Sequence, residues 1–147
     1  MSQEYLRWYA ERLNHADPTQ AQIARREHAS QMEYLERKHA SMEYALKTGL
    51  KIVAGTDSFI ADVRFDAMAD EVRWLVAYGC TPIQAIQAAT GWAAQSMGWT
   101  DIGALQPGRL ADVIAVTGSP LTDIRAMDRV VLVVREGKIV KSPNNLF

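Results

Sequence analysis

Cysteine is nearly missing from this sequence: Cys80 stands alone, which excludes an internal disulfide and the small disulfide-stapled secreted folds. Histidine is scarce as well, with three residues in all. His28 and His39 share a predicted helix face but lie eleven positions apart, about 16 Å along the axis at about 1.5 Å per residue, too far for two ligands of one ion. His15 sits in another segment without partner spacing, so all three read as partly buried or surface imidazoles. An excess of one charge is missing too. Lys and Arg total 16 against 17 Asp and Glu, net −1, so no broad basic face marks a nucleic-acid or membrane-surface partner. The longest uncharged run, 74–100, is broken by Gly79, Pro82, Gly91 and Gly98, so no segment resembles a membrane span. The first residues lack a basic start followed by an apolar stretch, so no secretory leader is read. A reduced, cytoplasmic setting is the expectation, and the same absence fits a missing amino-terminal part.

What remains is the profile of one ordinary soluble globular domain: 147 residues, 48% hydrophobic and 22% charged, without internal repeat or low-complexity segment. Residues 1–18 suggest a short amphipathic helix ended near Asp17-Pro18, because the residue before proline is pushed out of helical geometry. From Thr19 to Thr48 there is no Gly or Pro, and His28, Met32, Leu35, His39, Met42 and Leu46 recur at steps of four and three, the pattern of a helix stripe. Gly49 is placed to stop it. A strand is predicted over Leu50–Ala54, then a helix after Asp66 with Met68, Val72, Leu75 and Val76 on its buried face, stopped by Gly79. Thr81-Pro82-Ile83-Gln84 combines a hydroxyl cap, proline at the first helical position and a glutamine that completes a capping box. That helix is expected to pause at Thr90-Gly91 and end at Gly98. Beyond Gly103 the pattern turns to β: Asp112–Thr117, Val130–Val134, and Lys138–Val140 returned by Glu136-Gly137 as a hairpin.

The stretch that organises these elements is Lys51-Ile52-Val53-Ala54-Gly55-Thr56-Asp57. It is a short apolar strand, a glycine, and a carboxylate just past the strand's end. In parallel α/β sheets, ligands and catalysis gather beyond the carboxyl ends of the strands, which makes Asp57 the candidate chemical residue. Taken alone, Gly55-Thr56-Asp57 also reads as an ordinary turn and helix-cap triplet.

Five ordered blocks change that balance. They are Gly55-Thr56-Asp57, Glu71 in a helix, the run Gly79–Thr90, the run Gly103–Ile114 with its Pro107-Gly108-Arg109-Leu110-Ala111-Asp112 core, and Pro120-Leu121-Thr122-Asp123-Ile124. Together they resemble the carboxyl-terminal part of the metal-dependent amidohydrolase superfamily, in its imidazolonepropionase-like and Xaa-Pro dipeptidase-like branch. The resemblance implies an α/β chain: the carboxyl-terminal fragment of a (β/α)8 barrel over residues 1–102, and strands of a composite β-sandwich over 103–147. It implies a divalent metal, zinc by expectation, in one or two copies in the complete enzyme. Asp57 would be the acid at the end of the eighth barrel strand, both metal ligand and acceptor of a proton from the attacking water. Substrates would be small amides, cyclic amides or dipeptide-like molecules. Arg64, in the following loop, would meet a substrate carboxylate through a bidentate pair.

A complete barrel of this kind takes about 250 residues, so the chain reads as incomplete and inactive by itself. The family's other metal ligands, a His-any-His pair on the first strand and residues on strands four to six, have no match here. The other reading is a non-catalytic α/β assembly module descended from such an enzyme. Either way, strand edges left open favour self-association or a missing amino-terminal partner. Among the remaining groups, Asp62, Asp66, Asp70 and Glu71 read first as acids at a helix start. Cys80 reads as a packed small side chain, Trp74, Trp92 and Trp99 as core or inter-element packing, and Arg109 and Asp112 as supports of the turn into the β region.

Overall fold

The computed structural model describes residues 10–11, 13–14, 17–57 and 67–143. It separates into two compact units, 1–42 and 43–147. Helix α1, Pro18–Lys47, runs from the first into the second. Its start is a capped Asp-Pro junction: the Thr19 amide donates to Asp17 Oδ1 at 2.8 Å, which satisfies one of the amides a helix start leaves without a partner. In the first unit Ala21 and Ala24 are buried. The predicted stripe is half-covered at His28, Met32, Leu35, Met42 and Leu46, while His39 is exposed. The helix expected over residues 1–18 falls mostly outside the described residues.

In the second unit, three helices follow: α2 at Met68–Ala77, α3 at Pro82–Ala88 and α4 at Gly91–Ser96. The stop after α2 is a Schellman turn. The Gly79 amide donates to the Val76 carbonyl and the Cys80 amide to the Leu75 carbonyl, both at 3.0 Å. Gly79 takes φ +105°, a region closed to most side chains. The α1 end repeats the pattern, with Gly49 donating to Leu46 and Leu50 to Ala45. The start of α3 carries both halves of the capping box: Gln84 N donates to Thr81 Oγ1 at 3.3 Å and Thr81 N donates to Gln84 Oε1 at 2.8 Å. The expected pause is real, since α3 ends at Ala88 and α4 begins at Gly91.

The core of this unit is narrow. Helix α2 packs against α3 and against a 3-10 helix at Ile124–Asp128, and α3 packs against α4. Val72, Leu75, Cys80, Ala85, Ala88, Ala94 and Ala126 are buried there. Val72 and Leu75 each contribute about 1.5–3 kcal/mol by leaving water, and the alanines let the helices approach closely. The expected buried face of α2 is thus correct at Val72 and Leu75 but not at Met68, which stays exposed at the helix's first turn. Trp74 and Trp99 are about half exposed, which excludes the core half of their expected role, and Trp92 is half-buried. Trp74 instead leans toward Tyr78, ring centroids 6.3 Å apart.

The β region forms one antiparallel sheet, ordered β1 (Val113–Val116), β2 (Val130–Arg135), β3 (Lys138–Lys141). Val113 pairs with Val134 and Arg135 with Lys138, and each ladder carries one irregularity. The hairpin turn places Glu136 at φ +50° and Gly137 at φ +77°, as a tight two-residue connection between twisted strands requires. Asp112 fastens this turn, its Oδ1 accepting the Glu136 amide at 2.7 Å. Among the described residues no second sheet accompanies this one, and β1 touches the 3-10 helix. No described helix is long and apolar enough to cross a membrane.

Residues 50–54 depart from the predicted strand: they join no ladder among the described residues. A strand is defined by the neighbour it bonds to, and here the backbone turns to the helices instead: the Ala54 amide donates to the Ala88 carbonyl at the end of α3, 3.0 Å away.

Candidate functional site

Asp57 stands at the carboxyl end of the Lys51–Asp57 segment and is exposed. Its backbone takes φ +50°, a conformation that few non-glycine residues adopt, Asp and Asn among the more frequent. The residues before it are held at two successive amides. Ala54 N–H is bound by the Ala88 carbonyl at 3.0 Å, and Gly55 N–H donates to Glu71 Oε1 at 3.5 Å. At the amino-terminal side of the segment, Lys51 Nζ reaches Gln95 Oε1 on α4 at 2.9 Å. Helices α2, α3 and α4 therefore all contribute a partner to the segment that carries Asp57.

Arg64, Asp62, Asp66 and His15 lie outside the described residues. Of the acids read as a helix-start cluster, Asp70 and Glu71 do occupy the first turn of α2, yet neither caps it. Asp70 pairs with Arg73, which also reaches Asp128 of the 3-10 helix. Glu71 instead faces the Gly55 amide. Sequence reasoning missed this second role, since sixteen residues separate the two groups and no local spacing signals the contact.

The remaining candidates settle as structural. Burial pushes the Cys80 thiol above its ordinary range, the reverse of what a nucleophilic thiolate needs. Arg109 donates to the Ile102 carbonyl at 2.8 Å and so braces the turn before β1. A surface depression of about 330 Å³ lies along this turn, lined by Leu105, Pro107, Leu110 and Val113 among others. None of its lining residues belongs to the Gly55-Thr56-Asp57 turn.

Among the described residues no group of three or more His, Cys, Asp or Glu side chains is placed to hold a metal ion. A transition-metal site takes three or four protein donors. Asp57 is one oxygen donor, so the described residues do not fit a metal centre by themselves.

The chain is similar to known proteins in sequence and in fold. The sequence profile of the Amidohydrolase family matches residues 9–140. The chain is 38% identical over 92 residues to adenine deaminase 2 of Rhizobium meliloti, an alignment covering 62% of this chain and 14% of the deaminase. It is 37% identical over 105 residues to ochratoxinase of Aspergillus niger, covering 67% of this chain and 21% of the ochratoxinase. Among solved structures, a protein of Bifidobacterium longum assigned as a prolidase superposes with a TM-score of 0.67 at 34% identity, over 71% of this chain and 26% of that one. A Xaa-Pro dipeptidase with methionine in its active site also superposes with a TM-score of 0.67, at 25% identity, over 95% of this chain and 33% of that one. The chain thus spans about a fifth or less of these curated relatives and a third or less of these structural neighbours. With a family match that runs through nearly all of its residues, the chain belongs to the amidohydrolase family.

Proposed function

We propose that this chain is the carboxyl-terminal part of a hydrolase acting on C–N bonds of small amides, cyclic amides or dipeptide-like molecules, with Asp57 as its reacting carboxylate. On this reading residues 1–102 are the last portion of a (β/α)8 barrel and residues 103–147 are strands of a β-sandwich. The observation that carries the reading is the position of Asp57: an exposed carboxylate just past the apolar run Ile52-Val53-Ala54, with the Ala54 and Gly55 amides tethered to α3 and α2. Family membership supplies the reaction class.

The chemistry follows from the residue type. A carboxylate at the mouth of the segment accepts a proton as water adds to the carbonyl carbon, and returns it to the nitrogen as the C–N bond breaks. Asparagine has the same shape and could not take that proton. Members of the family generally use divalent metals, and zinc is the ion proposed for the complete enzyme. The donors beyond Asp57 would come from outside the described residues. Arg64 is proposed to bind a substrate carboxylate by a bidentate pair. The setting proposed is cytoplasmic, without nucleic-acid or membrane partners, and the site is completed by an amino-terminal part or by another copy of the chain.

The test is co-production of the chain with the polypeptide encoded immediately upstream, assayed on N-acyl amino acids, cyclic amides and dipeptides with zinc present. Turnover is expected, and Asp57→Asn is expected to abolish it while the folded state persists. Undiminished turnover in Asp57→Asn would refute the assignment. A stable, metal-free assembly without turnover would instead identify a non-catalytic module.

A further inference from the structure

We propose that Glu71 is a positioning residue for Asp57, acting through the Gly55 amide. Gly55 is the weak point of the segment. Among the described residues an added Cβ there would meet nothing within 4 Å, and glycine has the widest backbone freedom of any residue. It lies two positions before a carboxylate whose own backbone is held in the left-handed region. Left to itself, rotation at Gly55 would swing Thr56 and Asp57 away from the direction the segment gives them.

Of the bonds that oppose that rotation, two fall on the Ala54 and Gly55 amides. The Ala54 amide is fixed to the Ala88 carbonyl at 3.0 Å, which sets the segment against α3 but leaves Gly55 free to turn. Glu71 Oε1, 3.5 Å from the Gly55 nitrogen, takes up the next amide and sets the segment against α2. At 3.5 Å the contact is a long one, and its acceptor is a carboxylate. Glu71 is half-buried in the first turn of α2, so its side chain starts from a rigid element. Helix α2 in turn is locked by Val72 and Leu75 in the core. Glu71 thus carries the rigidity of the helix layer into the turn that presents Asp57.

The consequence for turnover rests on the reading of Asp57 as the reacting group, whereas the tether itself does not. The two are separable in amide hydrogen exchange and backbone order measured by NMR on the full 147-residue chain, which needs no activity. Glu71→Ala removes the acceptor, and Glu71→Gln keeps an oxygen that can accept. Glu71→Ala is expected to raise exchange at Gly55 about threefold, the change expected from losing one long hydrogen bond, and to lower order at Thr56 and Asp57. Glu71→Gln is expected to restore most of both. In the assembled enzyme the same Ala variant should lower kcat with little change in KM, again rescued by Gln. Unchanged exchange at Gly55 in Glu71→Ala would overturn the proposal, as would a rise spread equally over α2 and α3, which would mark a general loss of stability. If the exchange results hold but Asp57→Asn leaves turnover intact, the tether stands and only the functional reading falls.

Discussion

Gly103→Ala should destabilise this fold more than its size suggests. Gly103 lies where the chain leaves α4 and turns toward β1, with φ +82°. A Cβ built there would sit 2.8 Å from the Ala94 Cβ and 3.1 Å from the Thr90 carbonyl oxygen. Two costs add. Holding alanine in the left-handed region costs about 1–2 kcal/mol. Overpacking a close backbone contact costs about 1–3 kcal/mol. The stiffer unfolded chain offsets roughly 0.4–1 kcal/mol of the sum by raising the free energy of the unfolded state. The net loss is therefore roughly 2–4 kcal/mol, and at a urea slope of about 2 kcal/mol per M the unfolding midpoint should fall by about 1–2 M. A double-mutant cycle with Ala94→Gly isolates the contact, because removing the Ala94 methyl relieves the clash but not the backbone strain. A coupling of at least about 1 kcal/mol is expected. If Gly103→Ala unfolds within about 0.5 kcal/mol of the parent, or the cycle shows no coupling, the close approach of this turn to α4 is wrong.

Two further outcomes test the helix layer. Thr81→Ala removes the hydroxyl that accepts the Gln84 amide and should cost about 1 kcal/mol in urea unfolding, whereas loss of less than about 0.3 kcal/mol would show that the capping box contributes little. Cys80 is buried and its thiol is pushed up by that burial, so its folded value lies above the unfolded one. Its neutral form is compatible with the fold below the unfolded thiol value of about 8.5, and stability is lost as pH rises through the raised folded value. Thiol labelling near pH 8 should accordingly be at least about tenfold slower in the folded chain than in urea, and equal rates would contradict the burial.

The elements that were legible in the sequence are those whose cause is local. Thr81-Pro82 and Gln84 announce a helix start because the cap, the proline and the glutamine act within one turn. Gly49 and Gly79 announce stops because the left-handed residue is part of the stop itself. Glu136-Gly137 announces the hairpin for the same reason. The run at 50–54 joins no ladder among the described residues, because an apolar, β-branched run says only that a segment can pair, not that a partner is at hand. Met68, Trp74 and Trp99 were misread because burial depends on the layers laid over a residue, which helical spacing does not count. At the candidate site, Asp57 was visible from its place after an apolar run and from the motif around it. The contact between Glu71 and Gly55 was not, since it exists only once α2 has packed.

The exposed residues of the organising segment link its fold to its proposed chemistry. Leu50 is 58% exposed and Val53 42%. In an extended chain these positions have opposite parity, so their side chains leave from opposite faces. An edge strand of a half-wet sheet would keep its apolar groups on one face. Apolar groups on both faces suit a strand covered on both sides, as in a parallel α/β sheet. On the proposed reading, the strands that would flank residues 50–54 are also the ones that would bring further donors to the end where Asp57 stands. One docking event would then bury Leu50 and Val53, pair the open backbone and complete the site. The stability of this segment and the activity of Asp57 would rise together, because both depend on the same neighbours.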